Sequence, residues 1–187
     1  MLNDNGTELP ADSQQATTYT LASYYAYGRA MGEPGSDPDQ GVNNSTWLKF
    51  LFDQGMIEGY AELDATNADE IHMAMLNFDG VLIGCDLTSD AEQEFANHQP
   101  WTITASEQPS PKGGHDIYLV KYDTAAGTET IVTWGANQDC TVAWETGQVQ
   151  AGDLEAWVFI SAEDADRNGV DLATLQQAIR SLGGVAN

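Results

Sequence analysis

His115 has the setting most typical of a catalytic group in this chain. It follows Gly113 and Gly114 and begins the alternating segment HDIYLVKYD, which is how several hydrolases present a general base. An imidazole suits that role near neutral pH because its ordinary pKa is about 6.5. The chemistry it predicts is acyl transfer, which also requires a hydroxyl or a thiol beside the ring as the nucleophile.

The two thiols of the chain are possible nucleophiles. Cys85 and Cys140 lie far apart, in the apolar segments VLIGCDL and CTVAW. Free cysteine packs as a small hydrophobic residue, so we predict two buried free thiols on strands. A disulfide between them stays open, because it requires Cα atoms within about 7 Å of each other. Zinc is disfavoured, since neither cysteine has a second Cys or His at ligand spacing.

A candidate metal site lies near the end of the sequence. The segment that begins at residue 164 offers the first oxygen ligands of a calcium-binding loop, namely Asp164, Asp166 and Asn168. The twelfth position of that loop is Leu175, where a bidentate glutamate belongs. We therefore favour a turn at residues 168 and 169, followed by Asp171 as a helix cap, and retain calcium as the alternative.

Charge is the strongest feature of the composition. The 187 residues include 29 Asp and Glu but 6 Lys and Arg, and the formal net charge is -23. Nucleic acid is an unsuitable partner, because phosphate binding requires a basic surface. Anionic membranes are disfavoured for the same reason. Such an acid excess keeps a protein dispersed in concentrated salt, as in halophiles; an ordinary acidic extracellular or virion protein is the alternative.

The length of the chain predicts one domain over residues 1–187 with a single core. No apolar run approaches the ~18 residues of a membrane span. The first ten residues, MLNDNGTELP, have neither the basic nor the apolar region of a signal peptide. We therefore expect a soluble chain without membrane insertion.

Helices are predicted in residues 1–80. Capping residues and apolar spacing indicate one helix over residues 12–29 and a second in the segment WLKFLFDQGM. The segment AELDATNADEIHMAMLNFD begins with a possible strand and continues into a third helix, capped near Thr66 or Asn67. The third helix has an apolar face formed by Ile71, Met75 and Phe78. His72 in the same helix is interpreted as a surface or rim residue rather than a ligand.

Strands are predicted in residues 81–162. GVLIGCDL suits a strand that is buried on both faces. The alternating segments HDIYLVKYD, TIVTWG, CTVAWE and EAWVFIS predict an antiparallel sheet. Residues 163–187 then provide a linker and a last helix, VDLATLQQAIRSL. Helices first and strands second predict an α+β fold.

The order of these segments resembles the papain-like cysteine peptidase superfamily, and most closely the compact papain-like domains of tailed viruses and actinobacteria. The likeness is carried by the helical first half, the GVLIG strand, the Gly-Gly-His start of a strand that ends in Tyr-Asp, the Thr-Trp-Gly segment and EAWVFIS. It covers residues 3–182. It implies a helical N-terminal half, then an antiparallel sheet or half-barrel, then a C-terminal helix.

The resemblance also implies which residues formed the family's active site. The nucleophilic cysteine of the family begins the first long helix, and Ser13 stands at that position here, where with Asp12 it also suits a helix cap. The histidine is retained as His115, and Trp134 matches the tryptophan of the family's Asn-Ser-Trp-Gly segment. Ser13, His115 and Trp134 are therefore predicted to form a vestigial catalytic site.

The residue that orients the histidine in the family is replaced as well. Alignment on the Trp-Gly pair places Val132 at the family's orienting asparagine and Thr133 at the serine that follows it. Asp116 or Asn137 is then the candidate substitute for the missing amide. Because a serine is much harder to activate than a thiol, the expected result is a pseudoenzyme.

These features lead to one expected function and two alternatives. We expect a catalytically degenerate papain-like domain that acts as a structural or binding module, as a capsid decoration or tail accessory protein of a tailed-virus virion. Its partners would be other virion proteins or copies of itself, in the virion or outside the cell, and no cofactor is expected. The alternatives are an active peptidase or amidase that uses Ser13 with His115, and a secreted peptide-binding module.

Overall fold

The structure is a computed structural model, and it describes residues 43–78, 80–103, 109–152, 154–161 and 169–187. Several predictions fall outside these residues and are not addressed by it. They are the helix over residues 12–29, the nucleophile position Ser13, and the calcium-loop ligands Asp164, Asp166 and Asn168.

The described residues form five helices and seven strands. In chain order they are α1 (Asn44–Asp53), β1 (Gly59–Leu63), α2 (Ala68–Phe78), β2 (Val81–Thr88), α3 (Ala91–Ala96), β3 (Pro109–Asp123), β4 (Thr128–Thr133), β5 (Ala136–Thr141), α4 (Val142–Ala151), β6 (Glu155–Ile160), α5 (Leu172–Ser181) and β7 (Val185–Ala186).

All seven strands belong to one antiparallel sheet. Their spatial order is β5-β4-β3-β2-β6-β1-β7, so β6 lies between two strands that precede it in the chain. Strands β2 to β5 are spatial neighbours in sequence order. The predicted α+β class with an antiparallel sheet is confirmed.

The sheet has two faces because successive side chains of a strand point in opposite directions. On the main-core face, Ile83 lies opposite Ile117 and both are buried in one large cluster with residues of α2 and α5. On the other face, which we call the α1 face, Leu82 and Trp157 pack against Leu48 of α1. His115 also belongs to the main-core face. It lies opposite Cys85, and each of these residues is two positions along its strand from the Ile83–Ile117 pair, so their side chains point the same way.

Three predicted helices are present, and the cap of the first lies one residue before the predicted capping residues 44–46. The side chain of Asn43 accepts a hydrogen bond from the Thr46 backbone N–H at the start of α1. Asp171 does the same for Thr174 at the start of α5, as predicted from its position. The apolar face predicted for α2 is also confirmed, because its three members are buried: Ile71, Met75 and Phe78.

One predicted strand is wrong in its second half. The segment CTVAWE was assigned to a strand, but β5 ends at Thr141 and α4 begins at Val142. The cause is a local cap: the Thr141 hydroxyl accepts a hydrogen bond from the backbone N–H of Trp144 at 3.2 Å. Four alternating residues are too few to distinguish a strand from the first turn of a helix. The short helix α3 was not predicted.

One edge of the sheet is short and the other is covered in part. At one edge, β7 has two residues and pairs with β1. At the other, Trp101 forms a parallel bridge with Cys140 of β5. The Trp101 N–H donates to the Asp139 carbonyl at 2.8 Å, and the Thr141 N–H donates to the Trp101 carbonyl at 3.0 Å. Trp101 is fully buried and is therefore a core residue.

The helices of the described ranges were also compared with the requirements of a membrane span. None of them combines the length and the apolar character needed to cross a bilayer.

Candidate functional site

The imidazole of His115 is held by a hydroxyl. Its Nε2 lies 2.7 Å from the Oγ1 of Thr133, which projects from β4 on the same face of the sheet. Burial lowers the pKa of His115 below its ordinary value, and the charge of Asp116 opposes that shift only in part. The ring is therefore neutral at neutral pH, which is the form that can accept a proton.

Trp134 lies directly beside this imidazole. The two ring centroids are 4.9 Å apart at an interplanar angle of 35°. The same indole contacts Phe95 edge-on at 4.9 Å and Trp101 at 5.6 Å. His115 and Trp134, which were predicted to belong to one site, are thus brought together.

The backbone at Trp134 is strained. Because Thr133 pairs with Ala136, residues Trp134 and Gly135 form a two-residue hairpin loop, and their φ angles are 44° and 78°. Such a loop normally has Asn or Gly at its first position, and a non-glycine residue there costs about 1–3 kcal/mol. The tryptophan remains 43% exposed at this position. The loop therefore holds a partly exposed aromatic ring against His115.

Neither predicted substitute for the orienting asparagine contacts the ring. Asp116 points to the α1 face, where it accepts a hydrogen bond from the side chain of Asn44. Asn137 is exposed and lies opposite Val132 on β4. Thr133 orients the imidazole instead, although the sequence alignment had placed it one position beyond the orienting residue.

The α1 face carries a polar bridge behind His115. The buried Nδ2 of Asn44 donates to Asp116 at 2.8 Å and to Glu155 at 2.9 Å. Gly84 lies between these two carboxylates in the sheet, and a Cβ there would approach the Glu155 Oε1 to 2.7 Å. Burial raises the pKa of Asp116, and the hydrogen bond from Asn44 opposes that shift. The bridge joins β3 and β6, on either side of β2, to the first turn of α1.

Both thiols are buried, free and protonated, as predicted for structural cysteines. The Cys85 Sγ donates to the backbone carbonyl of His115 at 3.6 Å, and burial raises its pKa to about 12. The Cys140 Sγ donates to a carboxylate oxygen of Glu129 at 3.7 Å, and burial followed by that carboxylate raises its pKa as well. A nucleophilic thiolate therefore does not form at either position near neutral pH.

A second polar cluster was missed by the sequence analysis. The His72 Nε2 lies 2.7 Å from the Oε1 of Glu129, and its ring stacks on Tyr122 at 3.8 Å and 7°. The carboxyl group of Glu145 completes the group, and a ligand atom from each of His72, Glu129 and Glu145 lies within 4.8 Å of the others. We call these three residues the acid–imidazole cluster. His72, predicted to be a surface or rim residue, has intermediate burial, with 15% of its side chain exposed.

The electrostatics of the acid–imidazole cluster follow from its burial. Glu129 is 2% exposed and Glu145 is 3% exposed. Desolvation raises the pKa of both carboxyl groups, and for Glu145 the neighbouring charge of Glu129 adds to the shift while His72 opposes it. Two anions are therefore unfavourable here unless a cation balances them or the two carboxyl groups share a proton through a hydrogen bond.

Comparison of the chain with protein-family models, with curated proteins and with solved structures finds no match in any of the three. The function must therefore be argued from the residues themselves. Of the predicted vestigial site, His115 and Trp134 are adjacent and Ser13 lies outside the described residues.

Proposed function

We propose that the chain is a papain-like domain that binds a protein partner instead of hydrolysing it, and that it serves in a tailed-virus virion as a capsid decoration or tail accessory protein. The observation that carries the binding function is the partly exposed Trp134, held on a strained loop against His115. Such strain is retained where the surrounding contacts fix a residue for a purpose.

A surface built in this way suits protein recognition. Tryptophan is enriched among the residues that dominate binding energy, because it buries a large area with few rotatable bonds. Trp134 is supported from behind by Phe95 and Trp101, so little side-chain entropy is lost when a partner covers it. The neutral imidazole of His115 adds a polar group at the edge of the same surface.

The geometry around His115 favours binding over acyl transfer. A general base must gain a proton during the reaction, and active sites stabilise the resulting imidazolium with a carboxylate or an oriented amide. Thr133 fixes the ring but supplies no negative charge, and burial opposes protonation. Burial raises the pKa of both Cys85 and Cys140, which disfavours these two as nucleophiles.

The proposed setting in a virion rests on the resemblance and on charge. The resemblance to domains of tailed viruses is an argument by analogy. The net charge of -23 is compatible with a protein that stays dispersed at high salt concentration. Mass spectrometry of purified particles and of particle-free supernatant would test the setting: recovery only in the supernatant would support a secreted peptide-binding module instead.

Turnover and binding can be separated in one experiment. The wild type, His115→Gln and Trp134→Asn are incubated with a broad peptide library, and cleavage is followed together with retention of peptides on the immobilised protein. We expect no cleavage by any of them and loss of retention by Trp134→Asn. His98→Gln is the matched control, because His98 is exposed and also has a positive φ. Cleavage by the wild type and the control, but not by His115→Gln, would refute the binding function.

A hydrolase that uses Ser13 is the second candidate, and one observation favours it. Thr133 holds Nε2 of His115, whereas Nδ1 has no hydrogen-bond partner among the residues that the structure describes. A ring fixed on one nitrogen is the arrangement of an oriented base. A fluorophosphonate probe tests this candidate: labelling of the wild type that is absent in both Ser13→Ala and His115→Gln would establish it.

A further inference from the structure

The acid–imidazole cluster is assembled on the main-core face from three separate elements. His72 comes from α2, Glu129 from β4 and Glu145 from the first turn of α4. Stacking on Tyr122 fixes the plane of the His72 ring, and the hydrogen bond to Glu129 fixes its Nε2. The three ligand atoms point to one small volume, within 4.8 Å of one another.

One atom of this cluster is left without a partner. The Oε1 of Glu145 is buried and has no hydrogen-bond partner within the described part of the chain. Burial of such an oxygen without a partner costs about 1–3 kcal/mol, and more when the group is charged. Among the described residues, His72 is the one basic group in ion-pair contact with these carboxylates. The site thus has an excess of oxygen lone pairs and a deficit of positive charge.

We propose that His72, Glu129 and Glu145 bind a divalent transition-metal ion, with Zn²⁺ as the preferred ion. One imidazole nitrogen and two carboxylates are ligands that suit Zn²⁺, Mn²⁺ or Fe²⁺, and among these ions Zn²⁺ binds most tightly to such a set. An ion of charge +2 balances the two carboxylates and provides a partner for the Oε1 of Glu145. Cys140, whose Sγ lies 3.7 Å from a Glu129 oxygen, is a candidate for a fourth ligand.

The spacing is compatible with this ion after a small closure. Ligands about 2.1 Å from a common zinc ion lie roughly 3.0–3.5 Å from one another in a tetrahedral site. The His72 Nε2 and Glu129 Oε1 are already 2.7 Å apart, so a metal ion would have to separate them slightly. The remaining separations are within 4.8 Å and would have to shorten to this range when the ion binds.

Equilibrium dialysis of chelator-treated protein against Zn²⁺ tests the site, with bound metal measured by mass spectrometry. The buffer contains molar KCl and an excess of Mg²⁺, so that the many surface carboxylates are screened or occupied. We expect one zinc ion per chain in the wild type and affinity weaker by roughly tenfold or more in Glu145→Gln and in His72→Gln. Glu92→Gln is the control, because Glu92 is exposed on α3, and it should bind as the wild type does.

Co²⁺ provides an independent readout of the ligands. Its visible absorption is intense in tetrahedral sites, and a thiolate ligand adds a near-ultraviolet charge-transfer band. Loss of that band in Cys140→Ser would assign the fourth ligand, while the bound metal remains. Near-ultraviolet circular dichroism of each variant shows whether the fold is intact.

Two results would overturn the proposal. The first is the absence of stoichiometric Zn²⁺ in folded wild-type protein. The second is unchanged affinity in both folded variants, Glu145→Gln and His72→Gln. Either result would leave the cluster as two carboxyl groups that share a proton beside a hydrogen-bonded imidazole. The proposed binding surface at Trp134 would be unaffected, because the dialysis does not depend on it.

Discussion

Replacement of Asn44 by alanine is the sharpest test of how the sheet is held behind His115. The Asn44 side chain is 2% exposed, and its amide donates to Asp116 at 2.8 Å and to Glu155 at 2.9 Å. Asn44→Ala removes both donors at once. The two carboxylates then face each other across Gly84 without a hydrogen-bonding group between them.

The expected loss of stability follows from these two bonds. A hydrogen bond to a charged group contributes about 1.5–3 kcal/mol, which gives an upper limit of about 6 kcal/mol for the pair. Asp116 is exposed to solvent, so screening reduces its share considerably. Alanine also regains up to about 0.7 kcal/mol of helix propensity at the start of α1. We therefore expect the free energy of unfolding to fall by about 2–3 kcal/mol at neutral pH.

Urea denaturation followed by tryptophan fluorescence measures this difference. Asn77→Ala is the control, because Asn77 is exposed near the end of α2 and donates only to the carbonyl of Met73. Removal of the amide raises the pKa of Asp116 further above its unfolded value, so the variant's deficit should shrink as pH falls and the carboxylate becomes protonated. A loss no larger than that of the control, or one that stays constant down to acid pH, would refute the reasoning.

Three further predictions concern the same region. Gly84→Ala should lower the free energy of unfolding by about 1–3 kcal/mol in urea, because its Cβ would approach Glu155 Oε1 to 2.7 Å; a neutral effect would contradict the close packing. Because the pKa of His115 is lowered, the folded state binds fewer protons than the unfolded state, and the free energy of unfolding should fall as pH drops below about 6.5. Urea titrations at several pH values should show that His115→Gln loses part of this dependence. Cys85, with a pKa of about 12, should resist a disulfide reagent at mildly alkaline pH until urea unfolds the chain. Rapid modification of Cys85 in the native protein would contradict this prediction.

The sequence predicted best those elements that local interactions determine. Helices α1 and α5 have side-chain caps at Asn43 and Asp171, and α2 has an apolar face at helical spacing. The start of α4 was missed because its cap, Thr141, lies at the end of a strand whose alternating pattern continues into Val142. The papain-like assignment stays a prediction, since it depends on chain connections that local patterns do not determine.

Only part of the candidate site was predicted from the sequence. His115 and Trp134, which the resemblance placed in one site, lie side by side, but Thr133 was not recognised as the partner of the imidazole. The acid–imidazole cluster joins residues 57 positions apart in the chain, so no local spacing indicates it. One signal was present: in TETIVT, Glu129 has the same phase as the buried Ile131, which places a carboxylate inside the protein.

The two edges of the sheet, formed by the short β7 and by β5 with the Trp101 segment, affect how copies of this chain would behave at high concentration. An unpaired strand is a template for intermolecular pairing and so for amyloid-like aggregation. Here β7 offers two residues, and the Trp101 segment already occupies backbone groups of β5 at the opposite end. Fibril growth by addition of strands is therefore disfavoured at both ends. In a particle where many copies lie side by side, this arrangement would leave side chains, rather than exposed backbone, to determine which surfaces meet.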